Sequence, residues 1–111
     1  MLRRLRKMMK SRLDLQTELE TILGSKHVYF QPPESIRMKY PCIVYERDGL
    51  DVKAADDIKY DITMRYEVIY ITKDPDCNDF IQKMLDSFKY IRYDRHFISD
   101  NMNHETFVLY Y

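Results

Sequence analysis

Residues 59–73 read KYDITMRYEVIYITK, and the placement of their apolar side chains decides the fold. Ile62, Met64, Tyr66, Val68 and Tyr70 alternate with Asp61, Thr63, Arg65 and Glu67, and Ile69 and Ile71 then make the second face apolar too. Alternation with period two, carried by β-branched and aromatic residues, belongs to a strand on a pleated, half-buried surface. The late apolar change puts the C-terminal half of that strand under cover on both sides, so it is the expected centre of a sheet. Full burial of Val68, Ile69 and Ile71 would contribute about 1.5–3 kcal/mol each, a sum comparable with the net stability of a small domain.

On the N-terminal side of this strand, residues 48–58 (DGLDVKAADDI) separate it from a second strand, PCIVYER at 41–47. The gap exceeds an ordinary hairpin turn, and a projecting loop or extended hairpin is expected there. Pro32 and Pro33 fix an extended crossing before it, and residues 27–30 form a short edge strand. Further back, Leu2, Leu5, Met8, Met9, Leu13, Leu15, Leu19, Ile22 and Leu23 share one stripe of an amphipathic helix that Gly24 stops.

On the C-terminal side, Asp74-Pro75-Asp76 is a helix start, with Asp74 as N-cap, Pro75 at the first helical position and Phe80, Ile81, Met84, Leu85 and Phe88 on one face to residue 88. Residues 90–98 alternate Ile91, Tyr93, Arg95 and Phe97 against Arg92, Asp94, His96 and Ile98. A polar turn at 99–103 leads to a final strand, HETFVLYY, at 104–111. The expectation is a single α+β domain over residues 1–111, a largely antiparallel sheet of four to five strands with two helices packed on one face. Residues 1–12 form a basic helical extension of it.

A chain of 111 residues supports one modest core. With 18 basic and 18 acidic residues it is not, as a whole, a polyanion-binding protein, but Arg3, Arg4, Arg6, Lys7, Lys10 and Arg12 all precede the first acid, Asp14. That basic helix reads as a solvated face, as a contact for an acidic surface or DNA phosphates, or as a membrane-surface helix. Cys42 and Cys77 have no paired spacing, which argues against a zinc or disulfide framework and fits two reduced, apolar thiols in a cytosolic protein. No apolar run approaches a membrane span, and charges interrupt the N-terminus where a signal peptide needs an apolar stretch.

Signatures of catalysis are missing from the sequence. Gly24 and Gly49 are the only glycines, so no phosphate-cradling loop exists, and no HExxH, GxSxG or CxxC pattern occurs. Asp94, His96, Asp100 and His104 could in principle gather round a metal, but their spacing across a strand and a turn does not make them converge. Asp61 and Glu67 lie on one strand face roughly 20 Å apart, too far to share one ion. The expectation is no cofactor and no metal. The ten tyrosines read as packing or subunit contact, or as a stacking platform for single-stranded nucleic acid.

Three stretches together, YFQPPESIRMKYPCIVYERD at 29–48, YDITMRYEVIYITKDPD at 60–76 and DNMNHETFVLYY at 100–111, resemble the tail terminator, or tail completion, proteins of long-tailed (siphovirus-type) bacteriophages. The resemblance covers the chain from about residue 13. It implies a structural protein without turnover, assembled as a ring, usually a hexamer, that ends the tail tube at its head-proximal end and meets the head connector. The implied partners are further copies of the chain, the tail tube protein, the connector or stopper protein, and DNA passing through the lumen. A neighbouring role as head–tail joining adaptor or stopper makes nearly the same demands on sequence; a small nucleic-acid-binding module is the alternative from another class. For ring contacts, the basic face with Arg3, Arg4 and Arg6 and the acid-rich loop with Asp51, Lys53, Asp56 and Asp57 are the complementary candidates.

Overall fold

The computed structural model describes residues 10–55 and 59–111. The elements run α1 (Arg12–Leu23), β1 (Val28–Phe30), β2 (Cys42–Ala55), β3 (Lys59–Thr72), α2 (Asn78–Ser87), β4 (Ile91–Ser99) and β5 (Met102–Tyr110). The five strands form one sheet in the order β1-β2-β3-β5-β4. β1 pairs with β2 in parallel and every other pairing is antiparallel. This is the α+β architecture expected from the sequence, with β3 at its centre.

Helix α1 begins where Ser11, extended at φ −76° and ψ 138°, turns its hydroxyl to accept the Leu13 N–H at 3.0 Å. A serine that satisfies an orphan donor in this way sets a helix start. The expected helix from residue 2 is therefore corrected: Lys10 and Ser11 are not helical, and residues 1–9 lie outside the described residues. Leu15, Leu19 and Ile22 are buried, while Leu13, placed on the same stripe by the sequence reading, is 64% exposed. Gly24 closes the helix at φ 82° and donates its N–H to the Glu20 carbonyl at 2.8 Å, a left-handed position that suits glycine.

Helix α2 also starts later than expected. Asp74 does not cap it; its Oδ1 accepts the Asp76 N–H at 2.8 Å in a local turn, and the helix opens at Asn78 after Cys77. Aspartate's capacity to close such a turn on its own backbone competes with its role as a cap. The apolar face was read correctly, for Met84 and Phe88 are buried and Phe80, Ile81 and Leu85 pack beside them.

Both helices lie on one face of the sheet. Leu15, Leu19, Ile22, Met84 and Phe88 meet Ile43, Tyr45, Tyr66, Val68, Tyr70, Phe107 and Leu109 in a single core. Tyr45 is fully buried, and its hydroxyl donates to Gln16 Oε1 at 2.6 Å while accepting from Arg12 Nη1 at 3.0 Å, so α1 is tied to β2 by a satisfied polar pair. On the opposite face Cys42, Ile71 and Met102 form a smaller cluster under Tyr29 and Met38, with Val44 and Ile69 alongside. The connection between β1 and β2 supplies Met38. This second cluster is why β3 is apolar on both faces near its C-terminal end.

The sequence alternation in β4 does not survive intact. The pairing runs Ile91↔Leu109 and Tyr93↔Phe107, then shifts by one residue so that Arg95 faces Thr106 and His96 faces Glu105. Ile91 and Tyr93 share the helix-side face, but beyond the bulge His96 and Ile98 take that face and Arg95 and Phe97 turn to the other. Thr106, 1% exposed, fills the gap in the ladder by accepting the Arg95 N–H at 3.0 Å and donating to the Arg95 carbonyl at 3.1 Å. The expected turn at 99–103 shortens to Asp100 and Asn101, with φ 53° and 61°, the two-residue hairpin geometry that such residues favour.

The core makes a clear stability prediction. Leu19→Ala should cost about 2–5 kcal/mol, read by urea unfolding, whereas Leu13→Ala, on the exposed side of the same helix, should stay within about 0.5 kcal/mol of the parent.

Candidate functional site

Beyond Arg47 and Arg65 the central hairpin leaves the sheet. β2 and β3 continue to pair with each other out to Ala55↔Lys59, while β1 reaches only Tyr45 and β5 only Arg65. Of the segment expected as a projecting loop or hairpin at 48–58, residues 48–55 are thus part of a two-stranded arm, and residues 56–58 lie outside the described residues. The bulge between Arg47 and Gly49 sets its direction. Arg65 lies across this bulge, donating from Nη2 to the Asp48 carbonyl at 2.9 Å and from Nε to Asp48 Oδ2 at 3.2 Å. Gly49, at φ 158°, leaves room for it: a Cβ there would stand 2.8 Å from Arg65 Cζ.

The arm has two unlike faces. Leu50 and Val52 continue the helix-side face beyond the helices and are 47% and 52% exposed, with Ile62 and Met64 opposite them on β3. Asp51, Thr63 and Arg65 continue the helix-free face, where Asp51 Oδ1 stands 3.7 Å from Arg65 Nη1.

The helix-free face of the sheet proper carries an acidic row. Glu46 and Glu67 are direct cross-strand neighbours. Burial first, then the charges of Glu46, Asp48 and Asp94, push the Glu67 carboxyl above the usual range, with Arg95 pulling the other way. Like charges set opposite one another weaken a sheet.

One buried carboxylate escaped the sequence reading. Glu105, 4% exposed, accepts from the Tyr93 hydroxyl at 2.6 Å and from the Cys77 thiol at 3.5 Å, and His96 Nε2 stands 3.9 Å from it. The signal was available: Glu105 alternates in phase with Phe107 and Leu109, so an acid points inward. Burial and the Glu105 carboxylate push the Cys77 thiol up to about 11, and burial followed by the bond to Glu105 pushes Tyr93 up to about 12. At neutral pH both groups keep their protons and donate them to Glu105. The cluster holds α2 and β4 against β5, and its thiol is no nucleophile in that state.

The sequence-predicted contact residues are divided. Arg3, Arg4, Arg6, Asp56 and Asp57 lie outside the described residues. Lys53 stands on β2 in register with Asp61, and Asp51 is half-exposed beside Arg65. Of the residues considered for a metal, His96 and His104 fall on opposite faces because of the β4 bulge; His104 stacks on Phe97 at 4.6 Å, and Asp100 sits in the hairpin turn. Among the described residues no group of three or more His, Cys, Asp or Glu is placed to hold a metal ion, and no helix is long and apolar enough to cross a membrane. Compared with protein-family models, with curated proteins and with solved structures, the chain finds no match.

Two measurements test these environments. Burial lifts Cys42 and Cys77 from an ordinary value near 9 to about 11, so the folded state holds their protons more tightly than the unfolded state. The stability they contribute is complete below about pH 9 and is lost as pH rises toward about 11. Urea melts should record that decline, and at about pH 8 a thiol reagent should label both cysteines only after unfolding. Glu67 is likewise raised, so its favourable protonated form is lost as pH rises through the carboxyl range. Glu67→Gln should gain about 0.2–1 kcal/mol at neutral pH, measured by the same melts; a loss would contradict the repulsion described.

Proposed function

We propose that this chain is a structural subunit of the tail of a long-tailed bacteriophage, a terminator that assembles as a ring at the head-proximal end of the tail tube. There it ends tube growth and joins the tail to the head connector. The observation that carries the reading is the arm: a two-stranded extension with exposed Leu50 and Val52 on one side and Asp51 on the other reaches past the domain's own core. An isolated two-stranded ribbon is marginal in water, and a surface of this kind is suited to contact with another subunit. A mixed, largely antiparallel sheet accompanied by helices is also the layout the resemblance implies. On this reading the protein acts by position, without turnover or cofactor, and its partners are its own copies, the tube protein and the connector or stopper.

The adaptor or stopper role differs only in which neighbour is met. The nucleic-acid reading gains little from the placement of aromatics and cations: Phe97 already stacks on His104 and carries the Arg95 guanidinium 5.0 Å from its ring centre, and the same sheet face bears Glu46 and Glu67.

Negative-stain images of the purified protein with tail tubes should show a collar on the head-proximal end of each tube. A chain that stays a lone unit beside assembled tubes, or that binds connectors and ignores tubes, overturns the terminator role. DNA affinity falling steeply with salt would favour the nucleic-acid module.

A further inference from the structure

The sheet ends in two unequal edges. On one side β1 is three residues long. On the other, β4 runs nine residues from Ile91 to Ser99 and pairs only with β5 among the described residues, so its outer row of backbone donors and acceptors faces outward. That row spans roughly 30 Å, a template for strand addition. Its side chains are sorted by the bulge. Ile98, 67% exposed, lies on the helix-side face, and Arg92 and Arg95 lie on the helix-free face.

The arm carries the complementary arrangement. Its helix-side face shows Leu50 and Val52, and its helix-free face shows Asp51. Past Arg47 the outer edge of β2 has no strand neighbour among the described residues. If the arm's β2 edge is laid against β4 as a continuation of the sheet, the faces correspond: Leu50 and Val52 fall on the side that carries His96 and Ile98, and Asp51 on the side that carries Arg92, Arg95 and Phe97. Turning the arm over would set the acid against the apolar face. Charge composition agrees, because residues 89–96 carry Lys89, Arg92, Asp94 and Arg95 while residues 48–52 carry only Asp48 and Asp51.

We infer that the outer edge of β4 is the seat for the β2–β3 arm of a second copy of this chain, joined strand to strand. The inference rests on the reading of the protein as a self-assembling collar and names the contact between its copies. Seat and arm are different surfaces of one chain, so the contact is head-to-tail and propagates until it closes. The charges and the bulge on β4 deter uncontrolled edge pairing, and an arm with an acid on the matching face is the strand they admit. The internal pairs of Asp51 with Arg65, at 3.7 Å, and of Arg92 with Asp94, at 3.6 Å, are long surface contacts that exchange readily for new ones.

The test uses the full chain in sedimentation equilibrium with amide hydrogen exchange. The wild type should self-associate, with new protection confined to β4 and residues 48–52. The variants Arg92→Glu/Arg95→Glu, at exposed sites, and, separately, Asp51→Arg, at a half-exposed one, should each weaken association by about tenfold or more with an unchanged far-ultraviolet dichroism spectrum. Combining all three substitutions in one chain should recover part of the loss. Association that ignores the reversals, or protection appearing on α1 and α2 instead, overturns the seat while leaving the collar reading standing. A wild type that is monomeric in solution, with β4 protected only on tail tubes, also overturns it and gives the edge to the tube protein. Absence of any collar on tubes defeats the parent reading and not this contact alone.

Discussion

β3 is longer than the core it serves, and most of the architecture follows from that mismatch. β5 pairs with it only from Arg65 to Thr72, where Val68 and Tyr70 bury under the helices while Ile69 and Ile71 pack in the smaller cluster behind. A slip by one residue here would carry Glu67 onto the helix-side core face and turn Tyr66 and Val68 away from it, so the register is fixed strongly. The N-terminal half meets no such constraint beyond its partner β2. There the hairpin becomes an arm, and the Arg65 guanidinium lying across Gly49 marks the border between the enclosed half and the free one.

Polar groups inside the domain act as fasteners. Tyr45 links α1 to the second strand through Gln16 and Arg12, with its ring against Phe30 at 4.9 Å. Glu105 gathers Tyr93, Cys77 and His96 at the other end of the core. Tyr111 closes the middle: its hydroxyl donates to Glu18 on α1, and its backbone N–H donates to the Met64 carbonyl at 3.0 Å. Among the described residues no buried side-chain nitrogen or oxygen lacks a partner. Such networks specify one arrangement when every member is satisfied.

What could be read from sequence was what periodicity governs. The central strand, the apolar face of α2, the short edge strand after residue 27 and the two-sided cover on Ile69 and Ile71 all follow from spacing alone. Local hydrogen bonding decided the rest. Ser11 and Asp74 each bond to their own backbone, which moved one helix start to Arg12 and the other to Asn78. Neither choice shows in an apolar pattern, because serine and aspartate are equally at home in a cap and in a turn. The β4 bulge was invisible for a different reason: the phase of residues 90–98 is regular in the sequence and is broken only by what Thr106 does across the ladder. Of the residues proposed for the contact between copies, Asp51 stands out in the sequence by its position in an acid-rich segment. Arg95 and Ile98 were not, since their faces depend on the bulge.

That single extra residue makes β4 a strand with two independent surfaces. Ahead of Asp94 the side chains keep step with the core; after it they run in the opposite phase, and only His96, beside Glu105, and the Arg95 backbone, bonded to Thr106, touch buried groups. Removing one residue at the bulge would exchange the cationic and apolar sides of the outer strand while Phe107 and Leu109 stayed where they are. The rim of this domain can therefore be rewritten by a change of one position in length, at the cost of the two bonds Thr106 makes at the bulge and of His96's place beside Glu105.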